Sequence, residues 1–185
     1  MPVLVLAVVL AGCQNPPRST RMTVDDFQEM ASVMAQSLVH SEALAQRGPG
    51  SPPWVVSMEK VRNLTSDVMT DAEQWMVMAR LRGSTPLRAL WDSKNMRFVL
   101  PPEASARLRD RLDETGTLGG DDPSPQRSAP THTLTATFRS VTRASAEART
   151  DLYYCEFQML ELATGEPVWS DRFEFKRQAL GHIWD

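Results

Sequence analysis

The side chains best suited to chemistry in this 185-residue chain are two thiols, Cys13 and Cys155, and three imidazoles, His40, His132 and His182. Histidines that share a metal recur at short helical intervals such as His-x-x-x-His. These three lie far apart without such spacing, so they read as surface or hydrogen-bonded residues. Cys155 shares an alternating apolar set with Tyr153 and Phe157, which marks it as a buried, inert thiol. The chain contains no Gly-x-Ser-x-Gly elbow, Ser-x-x-Lys pair or phosphate-binding glycine loop. Asp121-Asp122 supplies two adjacent carboxylates, where calcium takes about six to eight oxygens. Asn63-Leu64-Thr65 matches a glycosylation acceptor only on a eukaryotic secretory route. The better reading has Asn63 and Thr65 ending a strand and bonding turn backbone groups. No catalytic residue, cofactor or metal is expected.

Cys13 carries a different chemistry. It closes Leu10-Ala11-Gly12-Cys13, directly after an apolar run from Val3 to Leu10. This order resembles the end of a bacterial lipoprotein signal peptide, in which the cysteine is lipidated and becomes the mature N-terminus. The run is too short to span a bilayer, which takes about 20 apolar residues. Its length suits a signal peptide, to be set apart from the fold. Residues 1–12 are therefore expected to be removed, with residues 13–22 forming the lipidated cysteine and a short tether. Gln14 in place of Asp points to the outer membrane and the periplasm. Gln14 to Met22 reaches at most ~30 Å. With Cys13 acylated, Cys155 has no thiol to pair with, and the fold must rest on its core.

Residues 13–185 are enough for one domain. The net charge of -3 comes from 20 basic and 23 acidic residues. These are interspersed, without the clustered Lys and Arg of a nucleic-acid surface. Thr23 with Asp26 predicts a capped helix start, followed by Phe27, Met30, Ala31, Met34 and Leu38 on one face. Trp54 to Val61 reads as a strand between prolines. Thr70 with Glu73 opens a second helix, and a short helical turn runs through Leu87, Leu90 and Trp91. Asn95 to Leu100 reads as a second strand, and a further helix is expected through Leu108 and Leu112. Residues 115–130, rich in Gly, Asp, Ser and Pro, read as a flexible insertion. The last third alternates. Leu134, Ala136 and Phe138 form one half-buried strand; Tyr153, Cys155, Phe157 and Met159 form the next, after a loop from Arg143 to Arg149. Ala163-Thr164-Gly165-Glu166 is a turn, and Val168 to Phe175 returns as a hairpin strand. The expected class is α/β (α+β): a mixed sheet of about four to five strands flanked by helices, with a C-terminal antiparallel hairpin.

These elements carry a resemblance. Thr23-Val24-Asp25-Asp26 opens the first helix, and a strand leads into Val61-Arg62-Asn63-Leu64-Thr65-Ser66. Met96-Arg97-Phe98-Val99 follows, and the hairpin reads Thr164-Gly165-Glu166-Pro167-Val168-Trp169-Ser170-Asp171. With the cysteine motif, this order resembles the penicillin-binding protein activator LpoB family, from Thr23 to about Lys176. The resemblance implies a periplasmic domain, residues 23–185 here, anchored in the outer membrane. It implies a non-enzymatic protein that binds a bifunctional peptidoglycan synthase and stimulates cell-wall synthesis. The competing class is a structural or assembly lipoprotein of an outer-membrane complex, which the short tether favours.

For a protein-binding module, Trp and Arg are the residues enriched at interface centres. Trp169 and Arg172 on the hairpin are the candidate contacts, together with Trp184 near the C-terminus. Trp169 fits either the core or an exposed anchor. The partners expected are an envelope protein and, through the N-terminal lipid, the membrane.

Overall fold

The computed structural model describes residues 19–99, 101 and 129–180. Cys13, the helix expected through Leu108 and Leu112, Asp121-Asp122, all but the last two residues of the 115–130 insertion, His182 and Trp184 lie outside the described residues.

Helix α1 (Val24–Val39) starts where its cap dictates. The Thr23 hydroxyl accepts from the Asp26 backbone N–H at 3.4 Å, and Asp26 Oδ2 accepts from the Thr23 N–H at 2.7 Å. Two of the helix's otherwise unpaired donors are thereby satisfied. Its apolar stripe, Phe27, Met30, Ala31, Met34 and Leu38, is buried. A four-residue turn, α2 (Glu42–Ala45), leads into strands β1 (Trp54–Met58) and β2 (Arg62–Leu64). Helix α3 (Asp71–Ser84) repeats the reciprocal cap with Thr70 and Glu73, whose carboxylate accepts from the Thr70 N–H at 2.7 Å. Those hydrogen bonds, backbone first, hold the Glu73 carboxyl below its usual pKa. Helix α4 (Leu87–Lys94) precedes strand β3 (Met96–Val99), and long strands β4 (His132–Ala144), β5 (Ala148–Glu161) and β6 (Pro167–Leu180) follow.

The six strands form one mixed sheet in the order β3-β1-β4-β5-β6, with β2 paired to β4. β1 runs parallel to β3 and β4, and β2 parallel to β4; β4, β5 and β6 are antiparallel neighbours. β6 is last in the order, so one of its edges has no strand partner among the described residues.

Alternation splits the long strands into two faces. Leu134, Ala136 and Phe138 of β4 and Tyr153, Cys155, Phe157 and Met159 of β5 are buried toward the helices, in one core with α1 and α3. Phe138 meets Phe157 edge-on at 5.9 Å, and Tyr153 stacks on Phe175 at 4.9 Å.

The structure corrects two boundaries. The strand expected through Val61 stops at Met58, and the chain re-enters the sheet as β2. The loop expected from Arg143 to Arg149 shrinks to Ser145–Glu147, because cross-strand pairing continues from Val141↔Leu152 to Ala144↔Arg149. Thr20 is fully buried and its hydroxyl bonds the Asp151 carboxylate on β5.

That last contact belongs to a polar clamp. Asp151 is itself buried and is paired with Arg149 at 3.0 Å. The Tyr153 hydroxyl lies 2.7 Å from Asp67 Oδ2 and 3.0 Å from the Thr20 carbonyl, and the Met22 N–H donates to Asp67 Oδ2 at 3.2 Å. The loop that offers Asp67 is built as its residue types demand. Asn63 Oδ1 accepts from the Thr65 N–H at 3.1 Å, and Asn63 Nδ2 donates to the Asp67 carbonyl at 2.7 Å. Asn63 and Thr65 thus close the turn after β2, and their side chains are committed to that task.

Candidate partner-binding surface

The outward-facing residues of β4, β5 and β6 stand in rows across the sheet: Thr137–Glu156–Arg172, Arg139–Tyr154–Glu174, Val141–Leu152–Lys176 and Arg143–Thr150–Gln178. Every one of these side chains is half-buried or exposed, in contrast to the core face of the same strands. Tyr154 stands near the centre. On one side of it lies an open cleft of about 540 Å³, lined by Arg139, Glu156, Ser170, Asp171 and Arg172. On the other lies a concavity of about 470 Å³, lined by Val141, Arg143, Thr150, Leu152 and Lys176. Arg139 pairs with Glu156 at 3.4 Å, and Arg172 with Glu174 at 2.9 Å.

The candidate contacts separate. Trp169 is 6% exposed and packs in the core, opposite Met159 of β5. Arg172 is exposed and points from the opposite face of the same strand. Alternation along β6 therefore makes Trp169 a support beneath the surface and leaves Arg172 on it. Trp184 lies outside the described residues. Tyr154, Leu152, Arg143 and Lys176 were not singled out from sequence. Their signal is the polar half of the alternation whose apolar half marked the core.

The groups with catalytic potential are occupied elsewhere. Cys155 is fully buried, and desolvation pushes its thiol pKa up to about 12, so it holds no thiolate at neutral pH. His132 is 3% exposed, leans on the Trp54 ring at 4.5 Å and shares a 2.8 Å hydrogen bond with Thr131. Burial lowers its pKa below the ordinary histidine value. His40 Nδ1 bonds the Gln36 carbonyl at 2.8 Å. Among the described residues no cluster of His, Cys, Asp and Glu is arranged to hold a metal. None of their helices is long and apolar enough to cross a membrane.

The fold is α+β, a mixed sheet with helices packed on one face and the other face open among the described residues. The chain belongs to the peptidoglycan-synthase activator LpoB family, whose model matches residues 26–175. Among solved structures it is similar to the LpoB C-terminal domain from Escherichia coli. That match has 14% identity and a TM-score of 0.45, and covers 81% of this chain and 98% of that one. It is similar also to the LpoB C-terminal domain from Salmonella enterica, at 13% identity and a TM-score of 0.43, covering 81% of this chain and 98% of that one. Lipoprotein GNA1162 from Neisseria meningitidis matches at 13% identity and a TM-score of 0.38, covering 68% of this chain and 84% of that one. No curated protein sequence matches the chain.

Proposed function

We propose that this protein is a lipid-anchored, non-enzymatic regulator that binds a bifunctional peptidoglycan synthase, a penicillin-binding protein, and stimulates its activity. The observation that carries the reading is the family match across residues 26–175. The open face of β4, β5 and β6, with Arg172 on it, supports it as the place where a partner docks. Stimulation requires that the module bind an active synthase conformation more tightly than an inactive one, because equal binding shifts no population. Purified synthase is assayed for glycan polymerisation and peptide cross-linking with increasing amounts of this protein. The expected result is saturable stimulation. Unchanged rates together with undetectable binding would sink the reading.

Anchoring through Cys13 in the outer membrane, with the domain facing the periplasm, is part of the same proposal. It rests on Leu10-Ala11-Gly12-Cys13. A Cys13→Ser variant is expected to leave the membrane fraction for the soluble one; co-fractionation identical to the parent would refute the anchor.

One observation favours a second reading, an assembly lipoprotein of an outer-membrane complex. Because Thr20 is clamped to Asp151, Cys13 can lie no farther than ~25 Å from that point of the domain. A partner must then come close to the anchoring membrane. Affinity capture from detergent-solubilised envelopes separates the two: the synthase supports activation, outer-membrane assembly components support the alternative.

A further inference from the structure

The two concavities beside Tyr154 differ in electrostatic balance. In the first, Arg139 is paired with Glu156 and Arg172 with Glu174, and the remaining carboxylate, Asp171, accepts from the Ser37 hydroxyl. A partner gains little from such ions, since existing exposed pairs must be exchanged for new ones. The second is lined by two cations, Arg143 and Lys176, and by no carboxylate. Neither cation makes an ion pair among the described residues. Between them lies an aliphatic floor. Val141 is 53% exposed, and Leu152 stands directly between Val141 and Lys176 in the register.

We propose that this second concavity is the specificity contact for the partner, filled by an extended segment that presents an aliphatic side chain between two carboxylates. The inference rests on the partner-binding reading above and gives that partner a chemistry. Arg143 and Lys176 lie two strands apart and one same-face step apart along the sheet. Strand spacing of about 4.8 Å and a same-face step of about 6.8 Å put them ~12 Å apart. In an extended segment, same-face positions on either side of a central residue are about 13.5 Å apart. The pattern acidic-x-aliphatic-x-acidic therefore sets one carboxylate against each cation and its central side chain on Val141 and Leu152. The apolar contact supplies burial, while the two charges fix register and raise the association rate.

The test uses the full-length lipoprotein in detergent and the purified bifunctional synthase of the same bacterium. Affinity and stimulation are measured at low and moderate salt for the parent, for Arg143→Glu/Lys176→Glu, and for Arg88→Glu on α4 as a control. The double variant is expected to bind at least about 10-fold more weakly and to lose most of the parent's salt dependence. The control is expected to behave as the parent. Both altered side chains are exposed, and circular dichroism with a thermal melt checks that the fold is retained. Equal binding by parent and double variant overturns the concavity while leaving synthase activation intact. No binding by the parent removes the activation reading itself, and this inference with it. If the parent self-associates on sedimentation and the double variant does not, the occupant is a second copy and the proposal is wrong.

Discussion

Asp151→Ala is expected to destabilise the domain by about 3 kcal/mol and to loosen the chain ahead of α1. Asp151 has no exposed surface, and its partners include Arg149 and the hydroxyls of Thr20 and Thr142. Removing the carboxylate takes away a buried acceptor that the Arg149 guanidinium and the Thr20 hydroxyl both use, and breaking a buried charged contact from one side is costly. The variant has a second signature, because Arg21 adjoins the clamp and is exposed. Limited trypsin digestion is expected to cut after Arg21 in the variant well before the parent. A pH profile adds a third. Burial alone disfavours the Asp151 anion, but hydrogen bonds from Thr142, Thr20 and Arg149, with the Arg149 charge, outweigh it and hold the pKa below the ordinary aspartate value. A carboxyl whose pKa is depressed by folding contributes stability above its unfolded pKa, near about 3.9, and loses it as pH falls through the folded value. Parent stability should therefore drop below about pH 4 through this group, and Asp151→Ala should lack that component. Coincident acid profiles for the two proteins would disprove the role given to the clamp.

Phe157→Ala is expected to cost about 4 kcal/mol, or about 10 °C in melting temperature for a domain of this size. Phe157 is fully buried at the centre of β5, its ring meeting Phe138 edge-on. Its cross-strand neighbours are Ala136 and Asp171. Neither can fill the void, since Ala136 is small and Asp171 is held by the Ser37 hydroxyl from α1. The loss therefore combines transfer free energy with a cavity that the backbone of a central strand cannot close. Urea denaturation should show the midpoint falling with little change in slope. A loss under 1 kcal/mol would mean that the sheet repacks far more freely than its register suggests.

The parts of this fold most legible in the sequence are those set by local chemistry. Thr23 with Asp26 and Thr70 with Glu73 mark helix starts because a side chain three residues on can reach back to the cap. Gly165 marks the hairpin turn because its φ of +74° lies in the left-handed region that glycine enters without strain. Alternation located β4 and β5 and their core residues. What escaped depends on distant partners. β2 is three residues long and exists because β4 offers it an edge, and residues 143–149 are mostly strand because their opposites are strand. The burial of Thr20 cannot be read from a threonine in a polar stretch, since Asp151 lies 131 positions away. For the candidate surface, Arg172 was visible as an exposed arginine of a hairpin. The floor of Val141 and Leu152 was not, because scattered aliphatics on the polar side of an alternating strand become a patch only once the registers align.

The edge of β6 that has no strand partner among the described residues has a consequence for the membrane-anchored state proposed above. Molecules held by one end to a bilayer meet in two dimensions, at local concentrations far above those in solution, and an unpaired strand there is a template for stacking. From position 171 to 177 β6 carries Asp171, Arg172, Glu174, Lys176 and Arg177. A neighbour arriving edge-on must strip water from these ions before it gains any backbone hydrogen bond. In that proposed state crowded copies would be kept from zipping into fibres, and the broad face beside that edge would remain clear for a visitor of another kind.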